Sequence, residues 1–264
     1  MSNLNFNNKT KLLISVSNNP TNFGVTIYNY LFNKLSMNYV YLPFNVSNAE
    51  NVISSIRTLD IYGCSISSPL KKDMFSLVDE VDEASIKLEN INTLKNNMGK
   101  LKGFNTDYYG FKKLVENKNF EDVLIYGYGS VAKTIVNCLK DLGISHISVT
   151  GRNENKVKNF CNENNLNNHQ EDFEYSLLIN ATPSGNKDDE VVKYLNRTKY
   201  LIDLNVSHVN NYLIEKALLS NIPNNIGAEM SIYQLQKQFE IYFDSLLTED
   251  ILQESLNYYW ETNQ

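Results

Sequence analysis

The chain has 264 residues, 42% of them hydrophobic, and 24 basic against 30 acidic side chains give a formal charge of −6. That balance, with no Lys/Arg block, offers no broad electrostatic footprint for nucleic acid. No run approaches the roughly 18 apolar residues of a membrane helix, so no membrane partner is expected. The polar opening MSNLNFNNKTK is not expected to act as a secretory signal. Asn is unusually frequent, at 40 residues, which we read as compositional bias. Cys64, Cys138 and Cys161 are far apart with no CxxC pair, so free thiols in a reducing compartment, the cytoplasm, are expected. His146, His169 and His208 make no metal-ligand spacing with them, so neither a metal site nor a histidine-centred triad is expected.

Apolar segments alternate with helical patterns from the start. KLLISVS (11–17) reads as a strand, followed by a helix from Gly24 to Leu35. NYVYLPF (38–44) is a strand and residues 48–59 a helix, then IYGCSIS (61–67) is a strand, and a helical pattern follows Pro69 through Asp79. Residues 91–106 read as two strands joined by a turn at Asn96–Gly99. After a helix from Asp107 to Glu116, residues 122–143 read as strand, tight glycine turn, helix. HISVTGR (146–152) and a polar helix follow, then strands 176–182 and 199–206 around a loop. The Asn-rich stretch 162–168 is expected to be a loop, and Ala228 to Trp260 helical with a break near Thr248. The pattern predicts an α/β protein of two domains: residues 1–107 plus 232–264, and residues 108–231 with a parallel, Rossmann-type sheet. The C-terminal helices are expected to return to the first domain.

Gly127-Tyr128-Gly129-Ser130-Val131-Ala132 is a GxGxxA run after a strand and at the opening of a helix. Gly127 suits the sharp turn, Gly129 lets backbone approach a pyrophosphate, and Ala132 keeps helix close to strand. The N–H groups of Ser130, Val131 and their neighbours then face the phosphates. The bland alternative is a glycine-rich turn holding no ligand. The next strand ends Thr150-Gly151-Arg152-Asn153, with no carboxylate before Glu154. A carboxylate there would repel a 2′-phosphate, whereas Arg152 can fork onto one, so the pattern favours NADP over NAD. Arg152 can equally be a solvated arginine at a helix start.

In the first half, polar residues stand at strand ends: Ser65, Ser67, Lys71, Asn92 and Asn105-Thr106-Asp107. Taken singly, Lys71 reads as a solvated helix lysine and Asp107 as a helix cap. Ser68-Pro69-Leu70-Lys71 also matches the Ser-x-x-Lys of acyl-transfer enzymes, but their Ser-Asp-Asn and Lys-Thr-Gly partners are missing from the sequence.

Together these runs resemble the shikimate dehydrogenase family over nearly the whole chain. The family's Asn-Val-Thr-x-Pro-x-Lys is matched by Ser65-Ile66-Ser67-Ser68-Pro69-Leu70-Lys71 and its Gly-Ala-Val-Asn-Thr by Glu89 through Thr93. Its Asn-Thr-Asp stands at 105–107, and its Gly-x6-Gln segment at Gly227 through Gln234. The early Ser-x-Ser-Pro, whose hydroxyls hold the substrate carboxylate, is replaced by Asn22-Phe23-Gly24-Val25. That stretch, with Gly63-Cys64-Ser65-Ile66-Ser67 and Gln238-Phe239-Glu240-Ile241-Tyr242, is similar to the divergent shikimate dehydrogenase-like branch. The tyrosine that members place after the Asp203-Leu204 strand is Val206 here.

The resemblance implies an NADP-dependent oxidoreductase that reduces 3-dehydroshikimate to shikimate, with Lys71 and Asp107 catalytic. Asn22, Ser67, Asn92 and Gln234 would bind a small cyclic hydroxy acid. Thr182, Leu204 and Gly227 would join the glycine turn, Arg152 and Asn153 on the cofactor side. The departures leave open a related acid such as quinate, or an NADP-binding regulatory protein without turnover. A monomer or homodimer is expected.

Overall fold

The computed structural model describes residues 6–169, 173–206 and 211–263. His208 and the first five residues of the polar opening lie outside these. The chain runs β1 (Lys11–Ser17), α1 (Asn22–Lys34), β2 (Tyr39–Asn45), α2 (Ala49–Thr58), β3 (Gly63–Ile66), α3 (Lys71–Phe75), β4 (Glu80–Val81), α4 (Glu83–Leu88), β5 (Thr93–Asn97), β6 (Lys100–Phe104) and α5 (Thr106–Val115). It continues through β7 (Asp122–Tyr126), α6 (Ser130–Asp141), β8 (His146–Thr150), α7 (Glu154–Asn164), β9 (Asn167–Asn168), β10 (Leu177–Asn180) and a 3-10 stretch, Glu190–Arg197. Last come β11 (Leu201–Asp203), α8 (Tyr212–Leu219), β12 (Asn224–Ile226), α9 (Gly227–Phe243) and α10 (Glu249–Thr262). Two compact units result, Met1–Thr106 with Leu235–Gln264, and Asp107–Gln234.

The first unit is a six-stranded sheet in the order β2-β1-β3-β5-β6-β4. Strands β1, β2 and β3 are parallel, β5 runs antiparallel to β3 and β6, and β4 is parallel to β6. Alternation sets the two faces. Ile14, Val16, Cys64 and Ile66 pack with Val52, Ile53 and Ile56 of α2 and Met74 of α3. The opposite parity, Gly63 and Ser65, meets Tyr242 and Gln238 of α9. Tyr28 of α1 stacks on Tyr41 of β2 with centroids 4.6 Å apart. Helix α10 packs on α1 through Phe23–Tyr259 and Tyr30–Tyr258 ring pairs at 4.9 and 4.4 Å. The C-terminal helices thus return to the first unit.

The second unit is a six-stranded parallel sheet in the order β12-β11-β10-β7-β8-β9. Strand β7 is buried on both faces, as covered parallel strands are. Val123 and Ile125 join α5, α6 and α7, whereas Leu124 and Tyr126 join the 3-10 stretch and α8.

Several elements depart from the sequence reading. The helix after Pro69 ends at Phe75 rather than Asp79, because Asp79 is taken by β6: its N–H donates to Leu101 O at 3.0 Å and its carboxylate accepts from Leu101 N at 2.7 Å. The Asn-rich stretch is not all loop, since Asn167–Asn168 pairs with β8. The loop between β10 and β11 carries the 3-10 turns, and α4, α8 and β12 were not anticipated.

Gly63 is a packing constraint. A Cβ there would lie 2.5 Å from Cε1 of the fully buried Tyr242. Gly63→Ala is expected to lower stability by about 1–3 kcal/mol, the range for overpacking a filled core. Urea unfolding checks this, and an unchanged midpoint contradicts it.

Candidate functional site

In the first unit, candidate residues gather where the parallel strands end, the end at which open α/β sheets bind ligands. Asn22 is exposed at the first position of α1, after β1. Ser67 is exposed just beyond β3, and its N–H donates to Val16 O at 3.0 Å. Lys71 opens α3 and is only 8% exposed, its carbonyl accepting from Ile91 N at 3.1 Å. Next in chain from Ile91, Asn92 is fully buried, and its carbonyl accepts from Ile66 N at 2.7 Å. Asn92 Oδ1 accepts from Thr106 N at 2.8 Å, Thr106 Oγ1 at 3.0 Å and Thr93 Oγ1 at 2.9 Å. The unit therefore brings Ser67, Lys71 and Asn92 to one end of its sheet, beside the Asn105-Thr106 turn.

Asp107 and Gln234 belong to the second unit. Asp107 is buried in the first turn of α5. Three residues on, a Cβ on Gly110 would lie 3.1 Å from both Cβ and N of Gln234 and 2.7 Å from Met230 O. Gly110 thus lets α5 and α9 approach closely, with Gln234 against α5.

The glycine turn has the geometry its sequence implies. Gly127 has φ +126°, a conformation side chains resist, and a Cβ there would lie 2.9 Å from Thr182 Cγ2 and 3.0 Å from Ala181 O. Gly129 caps α6, and a Cβ on it meets nothing within 4 Å, so the backbone faces open space. No side chain caps α6 and its first turn holds no acidic residue, so its N-terminal N–H groups suit an anion. Ala132 is fully buried, Val131 half-buried and Ser130 exposed. Tyr128 lies against Gly151, where a Cβ would come within 3.0 Å of its ring. Arg152 is exposed beyond β8, and Asn153 caps α7 by accepting from Lys156 N at 3.0 Å. The Asn153 side-chain oxygen is thus engaged in capping.

Around the glycine turn lies a polar cluster that sequence reasoning missed. Fully buried Asp203 accepts from Asn180 Nδ2 at 3.0 Å, Asn205 N at 3.1 Å, Asn205 Nδ2 at 2.9 Å and Asn211 Nδ2 at 2.6 Å. Burial raises its carboxyl above the ordinary aspartate value, and the donors of Asn211, Asn205 and Asn180 act against that shift. Thr182 Oγ1 donates to Asn180 Oδ1 at 2.8 Å and accepts from Ser184 N at 3.2 Å. Leu204 N donates to Asn180 O at 3.0 Å, and Gly227 N to Asn205 O at 3.0 Å. A Cβ on Gly227 would lie 2.1 Å from Leu204 O, so only glycine fits. Asp189 accepts from Gly185 N and Asn186 N, both at 2.7 Å; these bonds, then the charge of Arg152, hold its carboxyl below the ordinary range. A polar residue inside the apolar run LIDL was the available signal for Asp203.

Burial pushes the Cys64 and Cys161 thiols up. Among the described residues no group of three or more His, Cys, Asp or Glu is placed to hold a metal, and no helix is long and apolar enough to cross a membrane.

Residues 21–94 match the shikimate dehydrogenase substrate binding domain. A shikimate dehydrogenase of Sulfurisphaera tokodaii is 31% identical over 97% of this chain and 96% of its own length. The chain belongs to the shikimate dehydrogenase family. Within it, the shikimate dehydrogenase-like protein of Haemophilus influenzae is 29% identical over 94% of this chain and 96% of that one. The solved structure of a shikimate 5-dehydrogenase-like protein shares 28% identity and superposes with a TM-score of 0.85 over 96% of this chain and 98% of its own. A ligand-free 5-ketofructose reductase of Gluconobacter shares the fold, at a TM-score of 0.80 and 20% identity over 95% of this chain and 99% of its own.

Asp203→Asn puts an amide N–H opposite the amide donors that the carboxylate now accepts. A loss of about 1.5–3 kcal/mol, the scale of a hydrogen bond to a charged group, is expected from urea unfolding at pH 7. Parent stability in that variant contradicts the cluster's role.

Proposed function

We propose that the protein is an NADP-dependent dehydrogenase of a small cyclic hydroxy acid, reducing 3-dehydroshikimate to shikimate in aromatic amino acid biosynthesis. On this reading residues 1–107 with 232–264 serve the substrate and residues 108–231 the cofactor. The observation that carries the reading is Lys71: an 8% exposed lysine at the strand ends, on the segment that ends with Asn92 locked by its donors. Lysine is rarely this buried unless it is engaged, and its place among the strand-end polar residues supports a role there.

NADPH, when bound, supplies the hydride. Lys71 gives a proton from Nζ to the carbonyl oxygen during reduction, and takes it back from the hydroxyl during oxidation. Asp107 accepts a hydrogen bond from a substrate hydroxyl and so orients the ring. Ser67, Asn92 and Gln234 add neutral hydrogen bonds, and the Asn22 amide donates to the substrate carboxylate. Gly127, Gly129, Ser130, Val131 and Ala132 form the pyrophosphate turn, with Thr182, Leu204 and Gly227 on the nicotinamide side. The residues fit the cofactor, because the space over Gly129 is open and the start of α6 carries no acid. Arg152 and Asn153 stand where an NAD site places a carboxylate, which supports a 2′-phosphate. Relatives support the same choice: a 28% identical protein of Methanococcus maripaludis is an NADP(+) shikimate dehydrogenase. Free, buried thiols suit a reducing compartment, the cytoplasm.

One observation favours a second substrate. A Cβ on Gly24 would lie 3.2 Å from the Tyr41 hydroxyl oxygen, so the second of the family's early serine positions is crowded as well as without a hydroxyl. An analogue such as quinate, with a different arrangement around its carboxylate, is the alternative. A panel of cyclic hydroxy acids offered with NADP and with NAD, followed at the absorbance of the reduced cofactor, tests both. Shikimate or quinate turnover with NADP preferred is expected, and silence across the panel sinks the dehydrogenase reading. Arg152→Ala is expected to raise KM for NADP about tenfold or more and to leave that for NAD within about twofold, the loss of one charged phosphate contact. Equal losses for both contradict 2′-phosphate recognition.

A further inference from the structure

Strand β2 is the outermost strand at one side of the first unit's sheet. Its sequence, YVYLPFN, carries no charged residue. Leu42 and Phe44, on one face of it, are 41% and 43% exposed. An apolar edge strand is a template on which the strand of another chain can pair, and proteins that stay apart must close it.

The backbone bonds show how this edge is closed. Along a strand, alternate residues turn their N–H and C=O groups to opposite sides. Just outside the two ends of β2, Asn38 O accepts from Lys11 N at 3.1 Å and Val46 N donates to Ser17 O at 2.9 Å. The even-numbered residues therefore face β1, and Tyr39, Tyr41 and Pro43 turn outward. Tyr39 N donates to Met37 O at 3.0 Å, and Pro43 has no N–H. Of the three, only Tyr41 has both a donor and an acceptor to offer a partner strand. Both are taken by one side chain of α1: Tyr41 N donates to Asn29 Oδ1 at 2.9 Å, and Asn29 Nδ2 donates to Tyr41 O at 2.9 Å. The carboxamide makes the pair of bonds that a residue of a neighbouring strand would make. Its other amide hydrogen goes to Val25 O at 2.9 Å, so both N–H groups of Asn29 are used.

We infer that Asn29 guards this edge: its carboxamide stands in for a paired strand at Tyr41 and keeps β2 from adding the β2 of a second copy of this chain. Antiparallel pairing of two copies would join their sheets and gather the exposed Leu42 and Phe44 of both on one face. The guard is independent of the dehydrogenase reading, because Asn29 and Tyr41 are assigned to neither substrate nor cofactor. Any homodimer of the protein then uses a surface other than this edge.

Asn29→Leu keeps the bulk of the side chain and removes both bonds, and Asn29→Ala removes the bulk as well. Both are expected to self-associate, with the mass from sedimentation rising with concentration to about twice that of the parent or beyond. Adding Leu42→Lys, which sets like charges across the new contact, should return each to the parent mass. Parent mass at every concentration in both folded variants overturns the inference. Association of Asn29→Ala alone overturns it too, because bulk rather than pairing is then the guard. Amide exchange in the parent gives a reading free of any folding defect. The Tyr41 amide should exchange about tenfold or more slowly than an unpaired exposed amide, the scale of one hydrogen bond. A Tyr41 amide that exchanges at the rate of an unpaired one overturns the guard without any variant.

Discussion

Each unit of this protein holds at its strand ends one buried acceptor group that collects several donors from neighbouring turns and strands. A buried acceptor left unmet is costly, so its donors are kept in place. In the first unit the acceptor is Asn92 Oδ1, met by Thr93 and Thr106. In the second it is the Asp203 carboxylate, met by Asn180, Asn205 and Asn211. Around the first stand Ser67 and Lys71, and around the second Thr182, Leu204 and Gly227.

The two clusters differ in what they offer a ligand. The first presents a buried amine, a fixed carboxamide and hydroxyls, a set suited to a small polyhydroxylated ring. The second presents close-approach glycines and an uncapped helix start, a set suited to an extended anion. On the proposed reading, a hydroxy acid would be recognised hydroxyl by hydroxyl in the first unit and a dinucleotide along its backbone in the second.

Much of this was legible in the sequence, where local physics decides the outcome. The apolar run of β7, the glycines at 127 and 129 and the periodic α6 agree with one another, and the structure follows them. Lys71 and Asn92 were legible by motif, and only the structure shows that both are buried. Helix α3 is shorter than its periodicity suggests because Asp79 pairs with β6, a tertiary contact no local pattern carries. Helix α8 had a usable signal in the Asn211 cap before YLIEKALL, whose side chain accepts from Ile214 N at 3.3 Å. Gln238 was not distinguishable as a buried residue, since Gln234, Gln236 and Gln238 lie on one helix and only the fold decides which is buried.

The most direct test of Lys71 as the proton donor is the steady-state reduction of 3-dehydroshikimate by Lys71→Ala, with NADPH affinity measured in the same preparation. A fall in kcat of about 100-fold or more, the usual worth of a positioned general acid, with NADPH affinity within about twofold, is the result expected. A kcat within about threefold of the parent in a folded variant contradicts the role given to Lys71 and the chemistry built on it.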